Sequence, residues 1–356
     1  MPTLNDVMKR ISHIFISLCC SIIFIWAAGY FFLSSLTSYE FEHNLHKYIH
    51  TSNTIHKNRS EGWATTRVGK YNINAVPDIT KIREPKIAVW GDSYVEAWQV
   101  NDDQKMPQVI TSLLHQKEID LFCFGIGSSG DSVADYYFDM PAYEQLAQPV
   151  VAHCIIITNF TDISPDQTSD QKNGVFRSNP LRLEYIASRP SFQNIKRILN
   201  EWGLYFVWEP IRALMKTQIH LIPSIRQSSY QQSASEDPAT GADIEGAWAF
   251  LLSKFKQQTE VPIIFVYCPA IPMIHNNEVV LKNPDSDTAR QFNHICAAYD
   301  IGFIDVSARF LDYFKQTGKF PRGFSNTRPG SGHFNAAGHR IVAEAITAHI
   351  EMTRGS

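Results

Sequence analysis

The chain has 356 residues, enough for one large domain or two ordinary ones. Hydrophobic residues make up 44% and charged residues 19%, a balance typical of a globular protein and not of a disordered one. The formal net charge is −3 and the sequence has no basic stripe, so we expect no nucleic acid among its partners.

The first predicted element is an uncharged apolar stretch at residues 14–33, long enough for a helix that crosses a bilayer. Lys9 and Arg10 precede it, whereas Lys47 is the only lysine or arginine that follows closely. This bias predicts that residues 1–13 are cytoplasmic and that the rest of the chain is outside, periplasmic or extracellular.

A cleaved signal peptide is the rival interpretation of this stretch. Its apolar core should be shorter and should end in a small-x-small site. Here the small residues 27–29 are followed by more apolar sequence at 30–33. We therefore predict an uncleaved single-pass anchor, followed by a polar connector at residues 34–85. The sequence identifies no membrane partner.

From residue 86 the pattern alternates between strands and helices. Strands are predicted at residues 87–90, 119–124, 150–158, 263–267 and 302–305. Helices are predicted at residues 106–115, 133–140, 245–258, 287–299, 308–317 and 335–352, the second ending at Pro141 and the last capped by Asn335. The alternation predicts an α/β fold with a doubly wound parallel sheet in a three-layer α/β/α sandwich.

An insertion at residues 163–243 interrupts this alternation. Its first part is amphipathic and aromatic-rich, and residues 226–243 are polar and read as a loop or disorder. The insertion could be a lid, a substrate wall, a membrane-surface element, or helices packed on the domain.

The six cysteines predict neither a disulfide framework nor a metal site. Two lie inside the apolar stretch, and the others lie in separate apolar runs or in a helical pattern. No C-x-x-C spacing occurs. We expect core packing for these thiols and no metal or organic cofactor.

The residues that could carry chemistry begin with Ser93, which follows the first predicted strand in Gly91-Asp92-Ser93. This position is the carboxyl edge of a parallel sheet, where α/β folds place their ligand sites. A plain helix cap is the alternative interpretation. A nucleophilic serine needs a base, and His333 is the candidate because it lies on a glycine-rich loop just before the last helix.

These blocks resemble the SGNH (GDSL-type) hydrolases, a flavodoxin-like family of esterases, lipases and carbohydrate O-acetyl transferases or esterases. The resemblance covers residues 86–352 and implies Ser93 as nucleophile and His333 as base. It also implies that the backbone N–H groups of Ser93 and of Gly125, in Phe124-Gly125-Ile126-Gly127, serve the oxyanion hole.

Two departures from the family pattern stand out. The third block, usually Gly-x-Asn-Asp, is replaced by residues 158–162, in which either Asn159 or Thr161 could donate to the oxyanion. The acid normally found three residues before the histidine is replaced by Gly330. Three explanations remain open: a Ser–His dyad whose ring is held by a backbone carbonyl, an acid from elsewhere such as Asp305, or a weak or inactive site.

The sequence therefore predicts a membrane-anchored serine esterase or O-acyltransferase. The resemblance favours an O-acetyl group on a polysaccharide as its ester. A lipid esterase at the membrane surface and a catalytically weak glycan-binding or assembly protein are the alternatives.

Overall fold

The computed structural model describes residues 4–166, 173–187, 192–208 and 244–355. The predicted polar loop at residues 226–243 lies outside the described residues. The chain divides into two compact units. The smaller comprises Met1–Ser38 and Phe192–Ser233, and the larger comprises Tyr39–Ser191 and Ala234–Ser356. Of the predicted connector at residues 34–85, residues 39–85 thus belong to the unit that holds the sheet.

The helices are α1 (Leu4–Phe32), α2 (Ser93–Glu96), α3 (Met106–Gln116), α4 (Val133–Leu146), α5 (Gln193–Glu201), α6 (Ile244–Gln258), α7 (Ser286–Ala298), α8 (Ser307–Thr317) and α9 (Ala336–Gly355). The strands are β1 (Tyr39–Glu42), β2 (Lys47–His50), β3 (Ile55–Asn58), β4 (Ala64–Arg67), β5 (Lys86–Gly91), β6 (Phe122–Gly127), β7 (Val150–Ile157), β8 (Gly174–Ser178), β9 (Leu181–Tyr185), β10 (Ile263–Tyr267), β11 (Met273–His275), β12 (Glu278–Val280) and β13 (Gly302–Asp305). Asn335 caps α9 as predicted, its side chain accepting from the backbone of Ala337 and Gly338.

The central sheet has five parallel strands in the order β13-β10-β7-β5-β6. When the five strands are numbered along the chain and read from β6 to β13, this order is 2-1-3-4-5, the flavodoxin-like arrangement. The predicted α/β fold with a parallel sheet is confirmed. β5, which leads to Ser93, lies between β6 and β7, so the loops after these three strands meet at one edge.

Apolar clusters cover both faces of the sheet. Trp90 and Phe265 pack on one face with residues of α4, α6 and α7, whereas Val89 and Val266 pack on the other with residues of α3, α8 and α9. Strands buried on both faces carry mostly apolar side chains, which is why their sequences are nearly continuous apolar runs, with buried Lys86 in β5 and His153 in β7 as polar exceptions. This gives the three predicted layers.

The second strand of the sheet lies three residues later than predicted. Residues 119–121 form the turn after α3, in which the N–H of Ile119 donates to Leu114 O. The ladder begins when the N–H of Phe122 donates to Pro85 O. As a consequence, Gly125 lies inside β6, paired with Val89, and not after its end.

Helix α4 continues past Pro141, where the sequence predicted its end. A proline inside a helix removes the N–H that would bond the carbonyl four residues earlier. That carbonyl belongs to Tyr137, and it accepts a hydrogen bond from the Gln258 side chain of α6. A tertiary contact thus replaces the missing helical bond, so the helix runs on to Leu146.

Candidate active site

Ser93 is the first residue of α2, immediately beyond the end of β5. The capping role is taken by Asp92, whose carboxylate accepts from the N–H of Tyr94 at 3.0 Å. Burial raises the pKa of the Asp92 carboxyl to about 6. Because the neighbouring aspartate caps the helix, the Ser93 hydroxyl is left to bond elsewhere.

The hydroxyl of Ser93 faces the imidazole of His333. The distance from Ser93 Oγ to His333 Nε2 is 2.8 Å. His333 lies in the loop before α9, where its carbonyl accepts from the N–H of Gly323 at 3.1 Å. The structure thus brings together the serine and the histidine singled out in the sequence, at a distance that allows proton transfer.

The other ring nitrogen of His333 faces a carboxylate that the sequence analysis did not find. Nδ1 lies 2.6 Å from Glu61 Oε2, and the backbone N–H of His333 donates to Glu61 Oε1 at 2.7 Å. Burial alone would raise the pKa of Glu61, but these hydrogen bonds from His333 outweigh it and hold that pKa below its usual value. Glu61 is therefore an ionised partner for the ring.

Neither position considered for an acid from the sequence occupies this place. Gly330 has no side chain, and the carboxylate of Asp305 accepts from the N–H of Ser307 at 2.8 Å, where α8 begins. The ring is not held by a backbone carbonyl either, because Nδ1 bonds the Glu61 side chain.

The loop that carries Glu61 joins β3 to β4 and is bound to the loop before α9 by Asn326. The Asn326 Oδ1 accepts from the N–H of Gly62 at 2.8 Å, and its Nδ2 donates to Gly62 O at 3.2 Å and to Arg59 O at 3.1 Å. Both the oxygen and the NH2 group of the Asn326 amide are used. The loop that carries Glu61 and the loop that carries His333 are therefore held together by more than the Glu61–His333 contact.

Gly332 makes room for this carboxylate. Its φ is +74°, and a Cβ at this position would overlap Glu61 Oε1. In the sequence block around His333, Gly332 is the residue whose identity is explained by Glu61. This connection became visible only with the fold.

We expect Gly332→Ala to lower kcat/KM about 10²-fold, because it displaces the Glu61 carboxylate from His333. Gly318→Ala is the matched control, since Gly318 has φ of +68° and nothing within 4 Å of an added Cβ. Both variants should lose about 1 kcal/mol of stability from backbone strain. Measuring thermal unfolding and kcat/KM of the pair separates the two effects, and equal activity losses would contradict this role of Gly332.

Arg322 is a buried residue of the loop before α9, which carries His333, and it bonds this loop to the rest of the fold. It is 2% exposed, and its guanidinium lies over two neighbouring rings, 4.8 Å from the Tyr94 centroid and 4.5 Å from the Phe334 centroid. It donates to Cys268 O at the end of β10 and to the Tyr94 hydroxyl, each at 2.6 Å. Arg322 thereby links β10, α2 and the residues around His333 with one buried cation.

The two side chains considered for the oxyanion hole both follow the end of β7. Asn159 follows β7, and its Oδ1 accepts from the N–H of Asp162 at 3.2 Å and from the Thr161 hydroxyl. Among the described residues, its Nδ2 reaches only Thr158 Oγ1, at 3.4 Å. The amide donor of Asn159 is therefore weakly engaged, whereas the Thr161 hydroxyl is already used.

Gly125 does not lie at this edge. Gly127, not Gly125, pairs with Gly91 at the end of the ladder. The loop that follows contains Gly130, with φ of +88°. This loop is tied to α2 through buried Glu96, whose carboxylate accepts from the Ser129 hydroxyl at 2.5 Å and lies 2.6 Å from His50 Nε2.

Comparison with known proteins adds distant structural similarity. No protein-family model and no curated protein matches the chain. A catalytic mutant of Axe2, an acetylxylan esterase from Geobacillus stearothermophilus, has a TM-score of 0.36 and 16% identity, covering 76% of this chain and 96% of its own. The acetyl xylan esterase AlAXEase has a TM-score of 0.40 and 14% identity over 74% and 99%. TesA has a TM-score of 0.38 and 11% identity over 75% and 98%. Similarity at this level is too distant to assign an activity or a substrate.

Proposed function

We propose that this chain is a serine esterase or O-acyltransferase that works through a covalent acyl-enzyme. One observation carries the proposal: hydrogen bonds connect Ser93 Oγ to His333 Nε2, and His333 Nδ1 to Glu61. A nucleophile, a base and an orienting acid in this order are the arrangement that activates a serine hydroxyl.

In the proposed reaction Ser93 Oγ attacks the acyl carbonyl while His333 Nε2 takes the hydroxyl proton. The Glu61 carboxylate holds the ring with Nδ1 protonated and stabilises the imidazolium that forms. The tetrahedral intermediate collapses as His333 returns the proton to the leaving alcohol. Water or a sugar hydroxyl then attacks the carbonyl of the Ser93 ester while His333 takes its proton. The bond from the acyl carbon to Ser93 Oγ breaks, His333 returns the proton to Ser93 Oγ, and the acyl group leaves on the water or sugar oxygen.

The oxyanion needs donors near Ser93 Oγ. We assign this role to the backbone N–H of Ser93 at the start of α2 and to Asn159 Nδ2, with Thr161 the less suitable side chain because its hydroxyl bonds Asn159. The resemblance assigned a glycine N–H as well. Gly130, in the loop after β6, takes the place of Gly125 in this proposal, since Gly125 lies within the ladder.

An acetyl group on a polysaccharide is the proposed ester, as the sequence resemblance implies. A lipid esterase, the alternative, should instead prefer long-chain acyl esters over acetyl esters. The alternative of a non-catalytic glycan-binding or assembly protein rested on Gly330, and the carboxylate of Glu61 beside His333 removes that support.

We further propose that α1 is retained as an anchor with the sheet-bearing unit outside the cytoplasm. Residues Asn5–Phe32 form a helix long and apolar enough to span a membrane, and only 6% of its most apolar stretch is buried. The basic residues that precede the apolar stretch support this orientation.

The test is covalent labelling of the purified chain with a fluorophosphonate, followed by peptide mass spectrometry. We expect a single adduct at Ser93 and turnover of short acetyl esters that exceeds turnover of long-chain acyl esters. A preference for long chains would favour the lipid esterase. Absence of both the adduct and turnover would contradict an enzymatic function.

A further inference from the structure

Segment 192–208 contacts the end of α1 within the smaller unit. The indole N–H of Trp26 donates to Trp202 O at 3.0 Å. The Asn200 side chain bonds the backbone of Leu36 in both directions, accepting from its N–H at 2.9 Å and donating to its carbonyl at 2.6 Å. These bonds fix α5 and the residue after it beside the carboxyl end of α1.

The approach of the two chain segments is close. Gly29 of α1 faces Phe206, and an added Cβ there would lie 2.8 Å from the Phe206 ring. Tyr30 stacks on Tyr205, with ring centroids 6.4 Å apart and an interplanar angle of 15°. A signal peptide destined for removal would not be expected to take part in such packing, so these contacts favour retention of α1.

One face of segment 192–208 is apolar and exposed. The side chains of Phe192, Ile195, Ile198 and Trp202 are 47%, 40%, 52% and 69% exposed, respectively. The spacing of three and four residues between Ile195, Ile198 and Trp202 places them along one stripe of α5 and its C-terminal cap, and Phe192 immediately precedes the helix. Leu199, by contrast, is buried at 7%.

The depth of the apolar stripe in a bilayer can be derived from the contact of Trp202 with α1. Trp26 precedes the end of the apolar stretch at residue 33 by two turns of helix, about 10 Å along the axis. Trp202, bonded to Trp26, therefore lies at a level where α1 is still apolar. Interfacial helices insert their apolar face to a depth of about 5–10 Å.

We propose that segment 192–208 is an interfacial anchor that lies in the outer surface of the lipid bilayer beside α1. The apolar stripe enters the boundary between headgroups and acyl chains, and Trp202 takes the position preferred by tryptophan at that boundary. The inference depends on retention of α1 as an anchor and is independent of the esterase proposal.

The test places a diazirine photo-crosslinking amino acid at position 198 of the full-length chain, reconstituted in vesicles of phosphatidylcholine and phosphatidylglycerol. Val279 of β12, 46% exposed, is the matched control position in the larger unit. We expect phospholipid adducts at 198, detected by mass, at least about tenfold more often than at 279.

A second variant, Ile195→Glu with Trp202→Glu, should reduce the adducts at 198 to the level of the control while leaving the chain in the membrane through α1. Adducts at 198 with protein instead of lipid, equal lipid labelling at 198 and 279, or an intact mass showing that α1 is removed would each overturn the proposal. None of these readouts depends on ester hydrolysis.

Discussion

Ser93→Ala is expected to lower kcat/KM for a short acetyl ester roughly 10⁴- to 10⁶-fold, because no other group can replace the attacking oxygen. The variant should fold normally, since the Ser93 hydroxyl bonds His333 and Asp92 caps the helix. The measurements are steady-state kinetics and thermal unfolding of the purified chain. Fluorophosphonate labelling should disappear in the same variant.

Ser112→Ala is the matched control, because the Ser112 hydroxyl donates to the carbonyl of Gln108 in its own helix, α3. It should keep wild-type kinetics and labelling. Undiminished turnover in Ser93→Ala would end the acyl-enzyme proposal, whatever the behaviour of His333.

Glu61→Gln is expected to lower kcat roughly 10²- to 10⁴-fold with little change in KM. The amide keeps the volume of the side chain but cannot stabilise an imidazolium, and it can hold the ring in the wrong tautomer. The acidic limb of the kcat/KM profile should move to lower pH, because the protonated ring loses its counter-charge. A purely structural role for Glu61 would not move that limb.

The pKa of Glu61 is lower in the folded chain than in the unfolded chain, so ionisation of Glu61 increases the free energy of unfolding. Its ionisation adds stability at pH values above its unfolded pKa, and this contribution is lost as the pH falls through the folded pKa. The stability difference between wild type and Glu61→Gln should therefore shrink in acid.

Glu278→Gln, at an exposed position of β12, is the control and should change neither kinetics nor this pH dependence. An unshifted acidic limb together with a small loss of kcat would contradict the role assigned to Glu61.

Most of the sheet could be predicted from the sequence because its signal is local. Each central strand is a short run of apolar residues, and burial on both faces demands such runs wherever a parallel sheet is covered by helices. The errors came where a tertiary contact overrode the local pattern. Pro141 predicted a helix end, but Gln258 satisfies the carbonyl that the proline leaves unpaired.

The same reasoning explains the partial prediction of the candidate site. Ser93 and His333 each stand next to a sheet or helix boundary that the sequence reveals, so their meeting could be expected from topology alone. Gly125 was misplaced because the strand boundary was shifted, and a shift of a few residues changes which glycine reaches the sheet edge.

The sequence by itself determined the apolar N-terminal helix, the parallel sheet and the position of Ser93 and His333, because each depends on side-chain periodicity or on a boundary within a few residues. Only the tertiary structure decided which group faces the other nitrogen of His333. Glu61 lies 272 residues away in the chain, on a hairpin loop with no motif of its own. Its partnership with the histidine arises from packing across the fold, where the missing side chain of Gly332 and the amide of Asn326 bring two distant loops together.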